Sequence, residues 1–118
     1  MVHYNRSPIT TSDMSGSNVS RQYLYSGLVR LHILHHASRE PIFGLGMIEE
    51  LGRHGYRLSP GTLYPIMHGL EKKGLLRSKE HMVGGKIRRV YLATPSGRKA
   101  LESAKERVRE LFGELFED

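Results

Sequence analysis

This chain lacks residue types and sequence features that are typical of several common classes of protein. Its 118 residues include no cysteine and no tryptophan. Without cysteine there can be neither a disulfide framework nor a thiolate metal site, which fits a reducing compartment. No apolar run approaches the roughly 20 residues of a membrane-spanning helix, and the N-terminus lacks the apolar core of a signal peptide. We therefore expect a cytoplasmic protein with no membrane partner.

Recognisable catalytic motifs are also lacking. The sequence contains no nucleophile elbow, phosphate-binding loop or zinc-protease helix. Glu49 and Glu50 are adjacent, so their carboxylates diverge on a helix and do not share a substrate. We predict a protein that is not an enzyme, with no catalytic residues and no cofactor.

Acidic residues are scarce in one part of the chain. The overall net charge is +6, but residues 53–99 alone hold eleven Lys and Arg against two acidic side chains. Residues 1–52 are balanced, and residues 100–118 are net negative. A face that is merely solvated is the ordinary alternative. An excess this local nevertheless predicts a polyanion as partner.

The first part of the chain divides into a tail and a helix. Residues 1–19 are rich in Ser, Thr, Asn and Gly and predict a disordered tail. A helix is predicted from Ser20 to Ala37, with apolar residues on two sides, so two different surfaces must cover it. One cover is its own domain and the other could be a second subunit. The candidate dimer contacts of this helix are Leu24, Leu28 and Leu31.

Two histidines of this helix raise the question of a metal. His32 and His36 have the i,i+4 spacing that can hold an ion on one helix face. No acid or cysteine nearby in the sequence completes a set of ligands, and ordinary packing or contacts with the helix dipole account for them. We therefore predict no metal site.

A short helix with marked ends is predicted between Ser59 and Gly74. Ser59 suits the N-cap because its side chain can accept hydrogen bonds from the first-turn N–H groups. Pro60 follows where its missing N–H costs nothing. Pro65 inside the helix leaves the carbonyl of Gly61 without a donor, which should bend the helix. The alternative is a helix that begins later.

The two faces of this helix differ in chemistry. Leu63, Ile66, Met67 and Leu70 share one apolar face at helical spacing. The opposite face is small, polar and cationic, with no acid, and can lie in a groove of DNA. Its candidate DNA-binding residues are Gly61, Tyr64, Pro65, His68 and Lys72, which would face the major groove, with Ser59 and Thr62 near phosphates.

A preceding helix and a following hairpin complete the predicted fold. A helix from about Phe43 to His54 gives, with the next one, the outline of a helix-turn-helix. Two alternating strands then flank Gly84-Gly85, which tolerate the positive φ of a two-residue hairpin loop. Both faces of the return strand carry apolar and basic groups, so its core face stays open. Lys86, Arg88 and Arg89 of this wing would contact phosphates or enter the minor groove.

The last helix is predicted from Pro95 to about Phe116, with Thr94 as its N-cap. Its apolar residues follow a heptad spacing, which favours a partner helix. Packing against its own domain is the alternative. The candidate dimer contacts are Leu101, Ala104, Val108, Leu111, Phe112 and Leu115. The predicted fold is therefore mainly α with a small β-hairpin: a winged helix-turn-helix over residues 20–94 and a dimerisation helix over residues 95–118.

These motifs together resemble the PadR family of bacterial transcriptional regulators over about Leu24 to Phe116. The most specific match is the run Leu58-Ser59-Pro60-Gly61-Thr62-Leu63-Tyr64-Pro65. It is followed by Leu70-Glu71-Lys72-Lys73-Gly74-Leu75, by the Gly84-Gly85 wing, by Tyr91, and by the turn from Thr94 to Gly97. The single C-terminal helix is similar to the small branch of the family.

The resemblance implies a homodimer that binds a palindromic operator in double-stranded DNA and represses transcription. The first and last helices would form the dimer interface. Some family members are relieved by small aromatic effectors, which implies such a ligand here, although the central tryptophan of the drug-binding members is absent. The residues alone leave a protein-interaction module on the same fold as the alternative. The basic wing favours DNA, because a protein adaptor has little use for it.

Overall fold

The computed structural model describes residues 13–117, which form four helices and three strands. In chain order they are α1 (Asp13–Arg39), β1 (Ile42–Phe43), α2 (Gly44–Arg53), α3 (Pro60–Lys72), β2 (Leu76–Val83), β3 (Lys86–Ala93) and α4 (Pro95–Leu115). This order confirms the predicted mainly α class with a hairpin between the third and fourth helices. Within the described residues, no helix combines the length and the apolar composition needed to cross a bilayer.

Helix α1 is longer than the sequence predicted. It begins at Asp13 rather than Ser20, so residues 13–19 belong to a helix and not to the disordered tail assigned to them. The remainder of that tail, residues 1–12, lies outside the described residues. Helix α2 agrees with its prediction to within one residue at each end, since Phe43 is its N-cap and His54 its C-cap.

The hairpin gains a third strand that the sequence did not predict. The sheet is antiparallel in the order β1-β3-β2, and Ile42 and Phe43 of β1 pair with Tyr91 and Val90 of β3. A two-residue strand has no alternation that a pattern could detect. Strand β1 covers the edge of β3 at Val90 and Tyr91, where it pairs backbone groups that the hairpin alone would leave open.

The wing turn has the predicted form. Val83 pairs with Lys86, so that Gly84 and Gly85 alone make the loop. Their φ angles are +56° and +79°, the two positive values that a type I′ hairpin turn requires. Glycine adopts them without a steric penalty.

The core lies between α1, the apolar faces of α2 and α3, and the base of the hairpin. Leu63, Met67 and Leu70 of α3 are buried, as predicted, and Ile66 packs against them. Each such side chain contributes about 1.5–3 kcal/mol when fully buried. On the return strand, Tyr91 joins the same core. The face of β3 that carries Tyr91 and Ala93 therefore joins the main core, while Val90 on the opposite face is also buried.

Helix α4 is fixed to the base of the hairpin. The Thr94 hydroxyl accepts a hydrogen bond from the Gly97 amide at 2.9 Å and donates one to the Gly74 carbonyl at 2.5 Å. The predicted cap at Thr94 is therefore confirmed. Gly97 lies so close to Leu75 that a Cβ would overlap the Leu75 carbonyl oxygen. The hairpin thus sets where α4 begins.

Candidate nucleic-acid interface

The outward face of α3 has the composition that the sequence predicted. Gly61, Pro65, His68 and Lys72 are exposed and follow one another at helical spacing, while Tyr64 beside them is half-buried. This stripe lies opposite the buried leucine and methionine side chains. A helix with one buried apolar face and one exposed cationic face can enter a groove without disturbing the core.

The start of α3 differs from the prediction in one detail. Ser59 is the N-cap, but its side chain makes no cap hydrogen bond. Its hydroxyl instead donates to the Thr62 hydroxyl at 3.3 Å, and its backbone carbonyl accepts from the amides of Thr62 and Leu63. Pro65 lies inside a helix that starts at Pro60, so the alternative of a later start is wrong. The predicted bend stays a prediction.

Tyr64 belongs to the fold as well as to the outward face. Its ring lies over the start of α2, where a Cβ on Gly44 would overlap the Tyr64 hydroxyl. The ring of His68, one turn further along α3, is 6.3 Å from the Tyr64 ring between centroids. Tyr64 therefore packs α3 against α2 and also borders the exposed face of α3. A substitution at Tyr64 would change both this helix packing and the chemistry of the exposed face.

The register of the hairpin sorts the wing cations into two faces. Paired residues of an antiparallel ribbon project to the same side. The partners Lys79 and Val90, His81 and Arg88, and Val83 and Lys86 therefore share one face, whereas Arg89 lies on the other with Glu80. The basic face consists of Arg77, Lys79, His81, Lys86 and Arg88.

Two cations of this basic face were missed by the sequence prediction. Arg77 and Lys79 alternate with inward residues of β2, and this alternation was visible in the sequence. The missing information was the pairing, which places them across from Leu92 and Val90 and on the same face as Arg88. Pairing depends on the turn and on the core rather than on either strand alone.

Arg89 is engaged within the protein. Its guanidinium donates to the Ser78 hydroxyl at 3.0 Å, and that hydroxyl donates to a Glu71 carboxylate oxygen at 2.6 Å. The Ser78 amide donates to the same Glu71 oxygen at 3.1 Å. The chain of contacts joins the end of α3 to both wing strands and holds the wing beside the helix.

Tyr91 lies beneath this network. Burial raises the pKa of its phenol, with the positive charge of Arg89 acting in the opposite direction. Its hydroxyl is buried and has no hydrogen-bond partner among the described residues. An uncharged phenol is therefore held under the wing, where it fills space beside the last turns of α3.

The helix and the wing meet at a small groove. It is lined by Tyr64, Arg88 and Arg89, together with residues 43–45 at the start of α2. Arg88 comes from the basic face of the wing, and Tyr64 from the border of the outward face of α3. The groove therefore brings two of the predicted DNA-binding segments within reach of one ligand.

The predicted dimer seam is the row of apolar residues along α4, and it is buried near the start of the helix and exposed toward its end. Leu101 is buried in the core of its own subunit, which leaves it little surface for the predicted dimer contact, and Ala104 is half-buried. The start of α4 packs against α1 and β3, and this contact covers the seam there. The exposed part of the seam is Val108, Leu111, Phe112 and Leu115.

The apolar residues predicted at the interface on α1 divide in the same way. Leu24 and Leu28 are exposed, 71% and 43% respectively, whereas Leu31 is half-buried and packs against the core. A row of exposed leucine side chains on a helix is unusual for a lone subunit and is typical of an interaction surface.

Histidines from two helices converge beside the helix-turn-helix. His32 and His36 of α1 lie near His54, the C-cap of α2, and Glu50 of α2 is hydrogen-bonded to His54 at 3.0 Å. Burial, and after it the charge of His54, lowers the pKa of His32, while the hydrogen bond from His54 lowers the pKa of Glu50. Glu50 lies on α2, so the sequence around His32 and His36 shows no acid beside them.

A larger cleft opens between α1 and the loop that precedes α3. Its volume is about 620 Å³, and its walls include Tyr25, Tyr56, Arg21 and Arg57. The rings of Tyr25 and Tyr56 meet edge to face with centroids 5.6 Å apart. Aromatic walls beside guanidinium groups fit a small aromatic compound that carries a negative charge.

Comparisons with known proteins agree with this architecture. The model of the transcriptional regulator PadR-like family matches residues 33–103. The transcriptional regulator Rv3488 of Mycobacterium tuberculosis is 54% identical over 88 residues, which is 75% of this chain and 82% of that protein. These relatives are transcriptional regulators rather than enzymes, as the lack of catalytic motifs predicted.

Solved structures extend the agreement to the fold. A PadR family regulator from Eggerthella lenta DSM 2243 is 32% identical with a TM-score of 0.71, over 90% of this chain and 95% of that chain. A PadR-like regulator from Bacillus cereus strain ATCC 14579 is 25% identical with a TM-score of 0.71, over 81% and 98%. The winged-helix fold predicted from the sequence is thereby confirmed.

Proposed function

This chain belongs to the PadR-like family of transcriptional regulators, and we propose that it is a homodimeric repressor of a palindromic DNA operator. The observation that carries the proposal is the acid-free outward face of α3 next to the cationic wing, where Tyr64 of α3 and Arg88 of the wing line one groove. Two neighbouring cationic elements in a small domain form the footprint of a nucleic-acid partner. We expect this regulator to act in the cytoplasm.

Helix α3 would provide the contacts that depend on sequence. Its exposed stripe of Gly61, Pro65, His68 and Lys72 is narrow and free of acidic side chains, so that it can approach base edges in the major groove. The amide of Gly61, with the hydroxyls of Ser59 and Thr62, would contact a phosphate at the positive end of the helix. These roles explain why the outward face of α3 is small rather than bulky.

The wing would provide contacts with the DNA backbone. Its basic face presents Arg77, Lys79, Lys86 and Arg88 along one side of a ribbon, which suits a row of phosphates. Arg89 faces the other way and is bonded to Ser78. We therefore assign it a smaller part in binding than Lys86 and Arg88, and we add Arg77 and Lys79 to the interface.

The dimer would be formed by the outer half of α4 and the exposed side of α1. Val108, Leu111, Phe112 and Leu115 leave an apolar stripe in water, and covering it with a second copy would remove that cost. Residues 20–94 would then be the DNA-binding domain and residues 95–118 the dimerisation helix. A two-fold axis gives two copies of α3, which matches a palindromic operator.

Relief by a small aromatic ligand is the regulatory part of the proposal. The cleft beside α1 offers two tyrosine rings and two guanidinium groups. It lies between the proposed dimerisation surface and the loop that leads into α3. A ligand bound there would change the position of α3 relative to α1, and hence the spacing of the two recognition helices in the dimer.

A gel-shift titration of purified protein with duplex DNA, at about 50 mM and about 200 mM salt, tests the proposal. We expect binding at the lower salt and a loss of affinity at the higher salt, since each phosphate contact contributes about −0.9 to the logarithmic salt slope. The absence of any shift at low salt would contradict DNA binding and favour the protein-interaction module.

A further inference from the structure

The two histidines of α1 lie on one helix face, one turn apart. Their rings are stacked, with centroids 6.5 Å apart and an angle of 14° between planes. Both side chains are half-buried on the side of α1 that faces α2. Because the spacing is i,i+4, both imidazoles can direct a nitrogen toward the same point without any change of the helix.

Helix α2 brings two further ligand groups to that point. The ring of His54 lies 4.8 Å from the ring of His32 between centroids. One ligand nitrogen from each of His32, His36 and His54 lies within 4.8 Å of the others. The Oε2 atom of Glu50 is 3.0 Å from His54 Nε2 and 3.6 Å from His36 Nε2.

Three imidazoles and a carboxylate are an ordinary ligand set for a transition metal. Zinc binds imidazole nitrogen at about 2.0–2.1 Å, so ligand atoms around it are roughly 3.3 Å apart in a tetrahedron. The longest separation here is larger, at 4.8 Å. Since the side-chain torsion that turns an imidazole ring is soft, small rotations of exposed His54 and of His32 would bring the nitrogens to that spacing.

Hydrogen bonding alone does not account for the whole cluster. It explains why Glu50 meets His54, and the other Glu50 oxygen, Oε1, is paired with Arg53 at 2.5 Å. The His32 ring also packs edge to face on Tyr56, with centroids 5.3 Å apart. Its approach to His54 gains little when both imidazoles are neutral and is repulsive when both are charged, and a shared cation would supply an attraction between them.

We propose that His32, His36 and His54, with Glu50 as fourth ligand, form a site for a divalent transition-metal ion of the zinc class at the junction of α1 and α2. The imidazole-rich set favours Zn²⁺, Co²⁺, Ni²⁺ or Cu²⁺ over Mg²⁺ or Ca²⁺, which prefer oxygen ligands. The proposal does not depend on DNA binding, because every ligand comes from within one subunit.

The site would add a link between two helices that already share the apolar core. Ligands on α1 and α2 connect the long first helix to the first helix of the helix-turn-helix. An ion that binds only the folded chain stabilises it in proportion to its concentration relative to Kd. Metal binding would therefore raise the Tm as well as appear directly in a titration.

The test is a titration of tag-free, chelator-treated protein with Zn²⁺ by calorimetry, and with Co²⁺ by visible absorption. We expect one ion per chain and the intense visible bands of four-coordinate Co²⁺. His54→Gln, His32→Gln and Glu50→Gln each remove a proposed ligand and should each weaken binding at least about tenfold, no less than the loss of a group that only orients a ligand. The matched control is His35→Gln, which removes a neighbouring exposed histidine of α1 that is not in the cluster.

Two results would overturn the proposal. One is a wild-type protein that takes up neither ion at micromolar concentration. The other is binding that survives both His32→Gln and His54→Gln, which would locate the ion elsewhere. If His32→Gln fails to fold, His54→Gln decides alone, because His54 is exposed at the end of α2 and its loss leaves the core intact. A rise in Tm with Zn²⁺ in the His35→Gln variant but not in His54→Gln supports the site independently.

Discussion

Two residues at helix starts look alike in the sequence and differ in the structure. Thr94 caps α4 with its hydroxyl, which accepts from Gly97 and donates to Gly74. Ser59 occupies the same position before α3, yet its side chain makes no cap hydrogen bond. A short polar residue followed by proline therefore predicts where a helix begins, but not how its first turn is stabilised.

We predict that Thr94→Ala lowers the free energy of unfolding by about 1–2 kcal/mol, whereas Ser59→Ala changes it by less than about 0.5 kcal/mol. Urea denaturation followed by circular dichroism, at one protein concentration for all variants, measures both. Equal losses of unfolding free energy in the two variants would show that the Thr94 side-chain cap stabilises the fold no more than Ser59 does. If Ser59 contacts a phosphate as proposed, Ser59→Ala should still reduce DNA affinity.

Gly97 gives a second prediction at this scale, because a side chain there would collide with backbone. A Cβ would overlap the Leu75 carbonyl oxygen, which cannot move aside as a flexible side chain can. Gly97→Ala should therefore cost about 2–3 kcal/mol of stability. Gly113→Ala is the control, since no atom lies within 4 Å of its added Cβ. That change should be neutral or stabilise by up to about 1 kcal/mol, and a comparable loss in both variants would contradict the close approach.

At the scale of elements, the helices were the most predictable part of the fold. Helix α3 could be located because its ends carry chemistry of their own, from Ser59-Pro60 to Gly74. Strand β1 could not, since its two residues have no periodicity and exist as a strand only through pairing with β3. The hairpin turn could be located equally well from Gly84-Gly85. Which side chains share each face of the hairpin could be determined only from the pairing register of its two strands.

The candidate interface was predictable in composition but not in arrangement. The exposed face of α3 was identified residue by residue, because burial follows the helical period. Arg89 was grouped with Lys86 and Arg88 on closeness in sequence, although pairing puts it on the opposite face. On α4, a heptad repeat has the same appearance whether it covers its own core, as at Leu101, or remains exposed, as at Leu111.

The division of the wing into two faces leads to a prediction about salt dependence. Lys86→Ala and Arg88→Ala should each weaken binding to all DNA sequences alike and reduce the logarithmic salt slope by about one unit. Arg89→Ala should have a smaller effect on the slope, because its guanidinium is bonded to Ser78. Fluorescence anisotropy with a labelled duplex at several salt concentrations measures these slopes.

Lys105→Ala is the control for the wing variants, since it removes the same charge from α4, where Lys105 pairs with Glu102. It should leave the slope unchanged. A slope that falls equally for Lys105→Ala and Lys86→Ala would mean that net charge matters and the wing does not. A larger loss for Arg89→Ala than for Arg88→Ala would reverse the assignment of the two faces.

In the whole molecule, the proposed mode of DNA binding requires a dimer. Leu111 is exposed in the single subunit, so Leu111→Glu should leave each subunit folded while it places a charge in the proposed interface. We predict a shift from dimer to monomer in analytical ultracentrifugation at micromolar concentration. Because one subunit contacts only half of a palindrome, operator affinity should fall by several orders of magnitude.

Gly113→Glu is the matched control for this change. It adds the same charge to the same helix two residues away, on the side of α4 that is turned away from the leucine and phenylalanine stripe. It should remain dimeric. A wild-type protein that sediments as a monomer at high micromolar concentration would remove the basis for the dimer, and monomers from both variants would point to a general effect of charge.

Selection of bound duplexes from a random DNA library measures DNA binding, sequence specificity and two-fold symmetry in one experiment. We predict enrichment of an inverted repeat whose half-site centres lie about 10–10.5 base pairs apart, or a multiple of that spacing, since two copies of α3 must enter successive major grooves. A library that yields no enriched sequence, or one without two-fold symmetry, would contradict a dimeric DNA-binding regulator.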